Sequence, residues 1–188
     1  LVEHSKDQLE TDGEDNRVRA VIPRIDSSGV EVLASDDITH AVTTFQQHYR
    51  KPVVASMGGV AASGGYYTAV PCQWIVAHEL TMTGSIGVIL HTYNYRGLLN
   101  KVGLRPQVFK SGKFKDMLSG ERPEEEIPPE EERMLKNMID EVFGRFKNVV
   151  REGRRTAHQV NGDKGRPLIE NWEEYADGRI LSGRQAYE

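Results

Sequence analysis

Apolar positions recur along the chain with two different periods, and their alternation predicts a layered α/β fold. Residues 1–16 are polar and acidic, the pattern of a surface segment. Val18-Arg19-Ala20-Val21-Ile22 reads as a strand ending near Pro23. Ser35-Asp36-Asp37 then offers a helix cap with acids behind it, and Ile38, Ala41, Val42, Phe45 and Tyr49 fall on one helical face. Pro52-Val53-Val54-Ala55 returns to a buried strand. Gly58-Gly59 breaks that strand, and small residues lead through Ser63 to a helix start at Gly64-Gly65.

The same reading continues towards the C-terminus. Trp74-Ile75-Val76-Ala77 and Gly87-Val88-Ile89-Leu90 are short strands, with a hydroxyl-rich turn at Thr81-Met82-Thr83-Gly84-Ser85 between them. Residues 95–102 form a helix stopped by Gly103, residues 105–109 a strand, and residues 110–116 a loop. An acidic, proline-broken stretch follows. From about Glu130, Met134, Met138, Val142, Phe146 and Val149 mark a long amphipathic helix whose stripe faces core or a subunit contact. Gly178-Arg179-Ile180-Leu181-Ser182-Gly183-Arg184 reads as a strand, a cap and a helix start. Alternating strands and helices imply a mainly parallel sheet.

Composition narrows the classes. A chain of 188 residues accommodates one domain, read as residues 1–188 and as trimmed at both ends. A net charge of -4 excludes the clustered basic excess of a nucleic-acid grip. The single cysteine, Cys72, excludes an intrachain disulfide and a multi-cysteine metal site. Residues 52–78 carry no Asp, Glu, Lys or Arg, but Gly, Ser, Thr, Gln and Pro71 interrupt them, so they read as the buried centre of a domain.

The chemistry centres on Ser63. A hydroxyl at a strand-to-helix turn sits where unpaired backbone N–H groups can stabilise developing negative charge. The same small residues would equally serve close helix–strand packing. A serine nucleophile needs a base: His78 and His91 lie at loops or strand ends, while His40 and His48 lie within a helix. A lysine serves only if its pKa falls from about 10.4, which burial without a carboxylate partner achieves. Lys110, Lys113 and Lys115 are the candidates. No Gly-Lys-Ser/Thr follows the glycines and no His-Glu-x-x-His occurs, so neither a phosphate loop nor a metal or other cofactor is expected.

Several blocks, in order, resemble signal peptide peptidase A (the protease IV family). They are Arg24-Ile25-Asp26-Ser27, Pro52-Val53-Val54-Ala55-Ser56-Met57-Gly58, Ala61-Ala62-Ser63-Gly64-Gly65-Tyr66-Tyr67 and Leu80-Thr81-Met82-Thr83-Gly84-Ser85-Ile86-Gly87. Lys110-Ser111-Gly112-Lys113-Phe114-Lys115-Asp116 and Gly178-Arg179-Ile180-Leu181-Ser182-Gly183-Arg184-Gln185-Ala186 complete the set. The resemblance implies a crotonase/Clp-protease-like β-α superhelix and a membrane-bound serine peptidase assembled as a bowl of identical subunits. It implies Ser63 as nucleophile, Lys115 as base and Ser85 as a hydroxyl bonded to the lysine amine. Backbone N–H groups of Gly64 and Val30 would form the oxyanion site. Substrates would be small apolar peptides such as cleaved signal peptides, at the extracytoplasmic face of a membrane reached through a segment missing from this chain.

One position departs from the family pattern. Its loop after the first strand reads Ser-Pro-Gly-Gly, whereas this chain has Ser27-Ser28-Gly29-Val30. A β-branched residue resists the φ > 0 conformations open to glycine. A catalytically weak or inactive bowl subunit is therefore one alternative, and a crotonase-type acyl-CoA enzyme another.

Overall fold

The computed structural model describes residues 2–29 and 31–188, which divide into two compact units: Leu1–Gly87 with Phe143–Glu188, and Val88–Val142. The first contains helix α1 (Val2–Glu14), strand β1 (Arg24–Ser27), helix α2 (Val32–Tyr49), strand β2 (Val54–Ala62), helix α3 (Gly64–Ala69) and strands β3 (Trp74–Val76) and β4 (Met82–Gly84). The second holds helix α4 (Arg96–Lys101) and a 3-10 turn at Glu124–Glu126. Helix α5 (Pro129–Asn161) begins in the second unit and ends in the first, which strand β5 (Ile180–Ser182) and helix α6 (Gly183–Tyr187) complete.

Among the described residues, five strands make one sheet around β2. β1, β3 and β4 all pair with β2 in parallel, and β5 closes the β4 edge antiparallel. The α/β reading and the mostly parallel sheet therefore hold. The sheet buries Val53, Ala55, Met57 and Ala61 against Val42 and Phe45 of α2, with Ala69 and Cys72 closing that cluster. A second cluster joins Tyr67 and Val70 to Ile86, to Phe146 and Val150 of α5, and to Ala176. Helix α3 thus contributes to both clusters, which fixes the turn preceding it.

Several boundaries differ from the sequence reading, each for a local reason. Residues 1–16 were expected only as a polar surface segment, and residues 2–14 form α1, docked through Lys51, whose amine donates to the carbonyls of Asp12, Gly13 and Asp15. The first strand lies at Arg24–Ser27 rather than 18–22; Val21 makes an isolated bridge to Val53, and Pro23 has no N–H with which to continue the ladder. Helix α2 starts at Val32, ahead of the expected Ser35 cap; Ser35 is buried and donates its hydroxyl to the Glu31 carbonyl. Gly58-Gly59 does not break β2. The register against β1 shifts between Ile25↔Met57 and Ser27↔Ala61, and Gly58 leaves room for the Asp26 carboxylate, which would lie 2.5 Å from a Cβ there.

Within the expected hydroxyl turn at residues 81–85, Met82–Gly84 is instead strand β4. Thr81 and Thr83 point inward and donate to the Gly58 and Ala61 carbonyls, so hydroxyls substitute for an apolar inward face. Residues 87–90 and 105–109 are not strands, since nothing in the described chain pairs with them. The α5 stripe divides along its length: Phe146 and Val150 are buried, whereas Met134 and Met138 are exposed. At the C-terminus the expected strand, cap and helix all form, with a reciprocal Ser182–Gln185 capping box.

Candidate functional site

The chain leaves β2 at Ala62 and enters α3 at Gly64, so Ser63 alone makes the turn, at φ 52° and ψ -121°. An L-residue there carries strain of about 1–3 kcal/mol and persists only where its surroundings over-determine it. They do so here. The Ser63 N–H donates to the Gly84 carbonyl at 2.9 Å, and the Ser63 carbonyl accepts from the Tyr67 N–H at 2.8 Å. The side chain makes no capping bond to α3, and its hydroxyl has no hydrogen-bond partner among the described residues.

Two glycines let other backbone approach this turn. Gly29, at φ 131°, faces Ser63 so closely that a Cβ would lie 3.1 Å from Ser63 Cβ, 3.3 Å from its Oγ and 3.6 Å from the Gly64 nitrogen. Gly65 packs on the end of β1, where a Cβ would fall 2.6 Å from the Ser27 carbonyl oxygen. The Ser27-to-Gly29 loop, the Ser63 hydroxyl and the Gly64 amide therefore converge. Gly64 lies in the first turn of α3, whose N–H groups have no intrahelical acceptor. Gly29 was not singled out from the sequence, although the loop containing it was. Val30, expected to donate an oxyanion N–H, lies outside the described residues.

Ser85 reaches the same sheet end by register. Ala62 pairs with Gly84, so Ser63 and Ser85 follow adjacent residues of neighbouring parallel strands, which run about 5 Å apart. Ser85 also has φ 52°, and its N–H donates to the Arg179 carbonyl at 2.7 Å. Behind α3 the Tyr67 hydroxyl donates to Asp36 at 2.5 Å, and Arg145 pairs with the same carboxylate. Burial, reinforced by Asp36, pushes the Tyr67 phenol up to about 12. Burial works against ionisation of Asp36, but Tyr67 and Arg145 outweigh it and hold the carboxyl below its usual range.

His78 sits elsewhere on the sheet. Its N–H is held by the Thr81 hydroxyl, which donates to the Gly58 carbonyl, placing His78 level with a residue five positions before Ser63. At strand rise that is roughly 15 Å. His78 Nδ1 is moreover occupied by the Leu80 N–H. Cys72 is buried, and desolvation pushes its thiol up to about 12, so it stays protonated and inert.

Lys115 belongs to the second unit. Its N–H donates to the Gly112 carbonyl, closing a turn within the expected loop. The three lysines of that turn differ in their partners. Lys110 donates to both oxygens of Asp116 at 2.8 and 2.9 Å, and Lys113 pairs with Glu130. The Lys115 amine has no ion-pair partner among the described residues. Asp116 does not pair with Lys115, because Lys110 takes its carboxylate. Within its own unit the Lys115 side chain is exposed, so the turn itself supplies no burial. Among the described residues no group of His, Cys, Asp and Glu is arranged to hold a metal ion.

Comparison with known proteins places these features in context. A model described as "Peptidase family S49" matches residues 46–188. The chain is similar to "Putative protease slr0021" of Synechocystis sp., with 41% identity over 93% of this chain and 57% of that protein. It is also similar to "Putative signal peptide peptidase SppA" of Enterococcus faecium, with 36% identity over 96% of this chain and 48% of the relative. "Serine protease SPPA, chloroplastic" of Arabidopsis thaliana is 32% identical over 100% of this chain and 25% of its own length. The chain thus spans about half, or less, of these relatives.

Proposed function

The chain belongs to peptidase family S49, and on that premise we propose that it is a serine peptidase in which Ser63 is the nucleophile and Lys115 the base. The observation that carries the reading is the Ser63 turn, a strained residue with an uncommitted hydroxyl facing Gly29 and the Gly64 amide. The neutral Lys115 amine takes the Ser63 proton as Oγ attacks the scissile carbonyl. The carbonyl oxygen becomes an oxyanion, held by the N–H groups of Gly64 and Val30. Collapse expels the amine product, which takes the proton from Lys115, and leaves an acyl-enzyme. Lys115 then deprotonates a water that attacks the ester, returning the proton to Ser63 and releasing the acid. Ser85 hydrogen-bonds the amine and orients it.

The substrate class in this reading is small apolar peptides, signal peptides among them, supported by the name of the Enterococcus relative. No described helix is long and apolar enough to cross a membrane, so association with the extracytoplasmic face would use a segment outside this chain. The reading includes the crotonase/Clp-protease-like superhelix and a homo-oligomer. Support for assembly comes from the second unit, where Tyr93 is 81% and Phe109 93% exposed, since large apolar side chains are favoured under a partner. Hydrolysis of a fluorogenic apolar peptide tests the function: Ser63→Ala and Lys115→Ala should abolish it while His78→Ala and Lys113→Ala keep most of it. Full activity in Lys115→Ala, or its loss in His78→Ala, would remove the lysine assignment.

A further inference from the structure

The turn carrying Lys115 is anchored by charged side chains that have no part in the bond-breaking steps. Arg122 is 6% and Glu131 3% exposed, values unusual for charged residues. Arg122 Nη1 donates to Glu131 Oε2 at 2.8 Å and to the Asp116 carbonyl at 3.3 Å, while Nη2 donates to the Glu126 carbonyl at 2.9 Å. Glu131 Oε1 accepts the N–H of Leu118, a residue at φ 69°. The pair therefore clamps the backbone on the C-terminal side of Lys115. Lys110 and the Arg122 Nε, 3.6 Å away, share the Asp116 carboxylate.

We propose that Lys110, Asp116, Arg122 and Glu131 form a charge-balanced frame that orients the Lys115 turn and leaves its amine without a counter-ion, a positioning role that rests on the reading of Lys115 as the base. The physical need is specific. A base must be neutral, and an unshared carboxylate on the next residue would favour the charged amine. Two cations and two anions within the frame cancel, so the frame adds no net negative charge beside Lys115. Outside the frame, Lys113 of the turn pairs with Glu130 of α5, while Glu126 beside Arg122 and Arg133 beside Glu130 add one charge of each sign. Hydrogen bonding from Lys110, helped by the charge of Arg122, holds the Asp116 carboxyl below its usual range against desolvation, so Asp116 keeps its negative charge near neutral pH.

The frame makes signed predictions that a merely structural role does not. The Lys115 pKa is read directly from its 13Cε shift in lysine-labelled protein, and the acid limb of kcat/KM reports the same base. Lys110→Met leaves Asp116 under-compensated and should raise both by about half to one pH unit. Asp116→Asn should lower both by a similar amount. The double variant Lys110→Met/Asp116→Asn restores neutrality and should return them to within a few tenths of wild type. Arg122→Lys keeps the charge but loses the planar fork, so kcat should fall about tenfold with little movement of the limb. Unchanged values, or shifts of the same sign, in Lys110→Met and Asp116→Asn would overturn the frame even if Lys115→Ala is inactive. An active Lys115→Ala would instead remove the base, and this proposal with it.

Discussion

Ser63 is held by backbone and Lys115 by charge. Around Ser63 the restraints are ladder hydrogen bonds to Gly84 and Tyr67, close approach of Gly29 and Gly65, and two apolar clusters beneath α3. Around Lys115 they are ion pairs and side-chain-to-carbonyl bonds of Lys110, Arg122 and Glu131. A sheet-end turn of the first kind fixes an atom rigidly, which suits a nucleophile that must face an oxyanion site. A charged frame of the second kind tunes a proton affinity, which suits a base. The two turns should accordingly fail in different ways.

The largest difference concerns chemistry alone. Ser63→Ala and Lys115→Ala should each lower hydrolysis on the order of 10^4-fold or more, with melting temperatures near wild type. Arg122→Met should lose stability as well as rate. It strands Glu131 as a buried, unpaired carboxylate, costing about 3–5 kcal/mol of stability, visible as an earlier denaturant midpoint. On the other turn, Gly29→Ala places a methyl against Ser63 Oγ at a backbone angle alanine resists. Its rate should drop about a hundred-fold, the scale of a lost oxyanion contact, with a stability loss of about 1–3 kcal/mol. If Gly29→Ala lost stability but no rate, the loop would be packing rather than site. Val30→Gly should raise the rate if the β-branched residue impairs its N–H.

The smallest effect is a pH dependence behind α3. The Asp36 pKa is depressed in the fold, so its contribution is present above about 3.8 and lost as pH falls through the folded value. The Tyr67 pKa is raised to about 12, so its contribution is present below about 10 and lost as pH rises through 12. Asp36→Asn should flatten the acid side of a plot of melting temperature against pH, and Tyr67→Phe the alkaline side.

The same contrast explains what could be read from residues alone. The strand–Ser63–helix turn was legible because glycine and small-residue constraints are local and periodicity marks the flanking elements. Residues 81–85 misled because inward threonines look like a turn until their hydroxyls meet the Gly58 and Ala61 carbonyls. Gly58-Gly59 misled for a related reason: the space it provides belongs to Asp26, 32 positions from Gly58. Among the three lysines of the second turn, residue type and spacing do not say which is unpaired, because Lys113 finds its partner on α5. Long-range charge pairing leaves no periodic trace.

The central claim, that Ser63 is an activated nucleophile, is tested most directly by a fluorophosphonate probe with the labelled peptide mapped by mass spectrometry. One adduct is expected, on Ser63, lost in Ser63→Ala, slowed strongly in Lys115→Ala and retained in Ser85→Ala. Absence of labelling in the folded wild-type protein, or an adduct on another serine that survives Ser63→Ala, would contradict it.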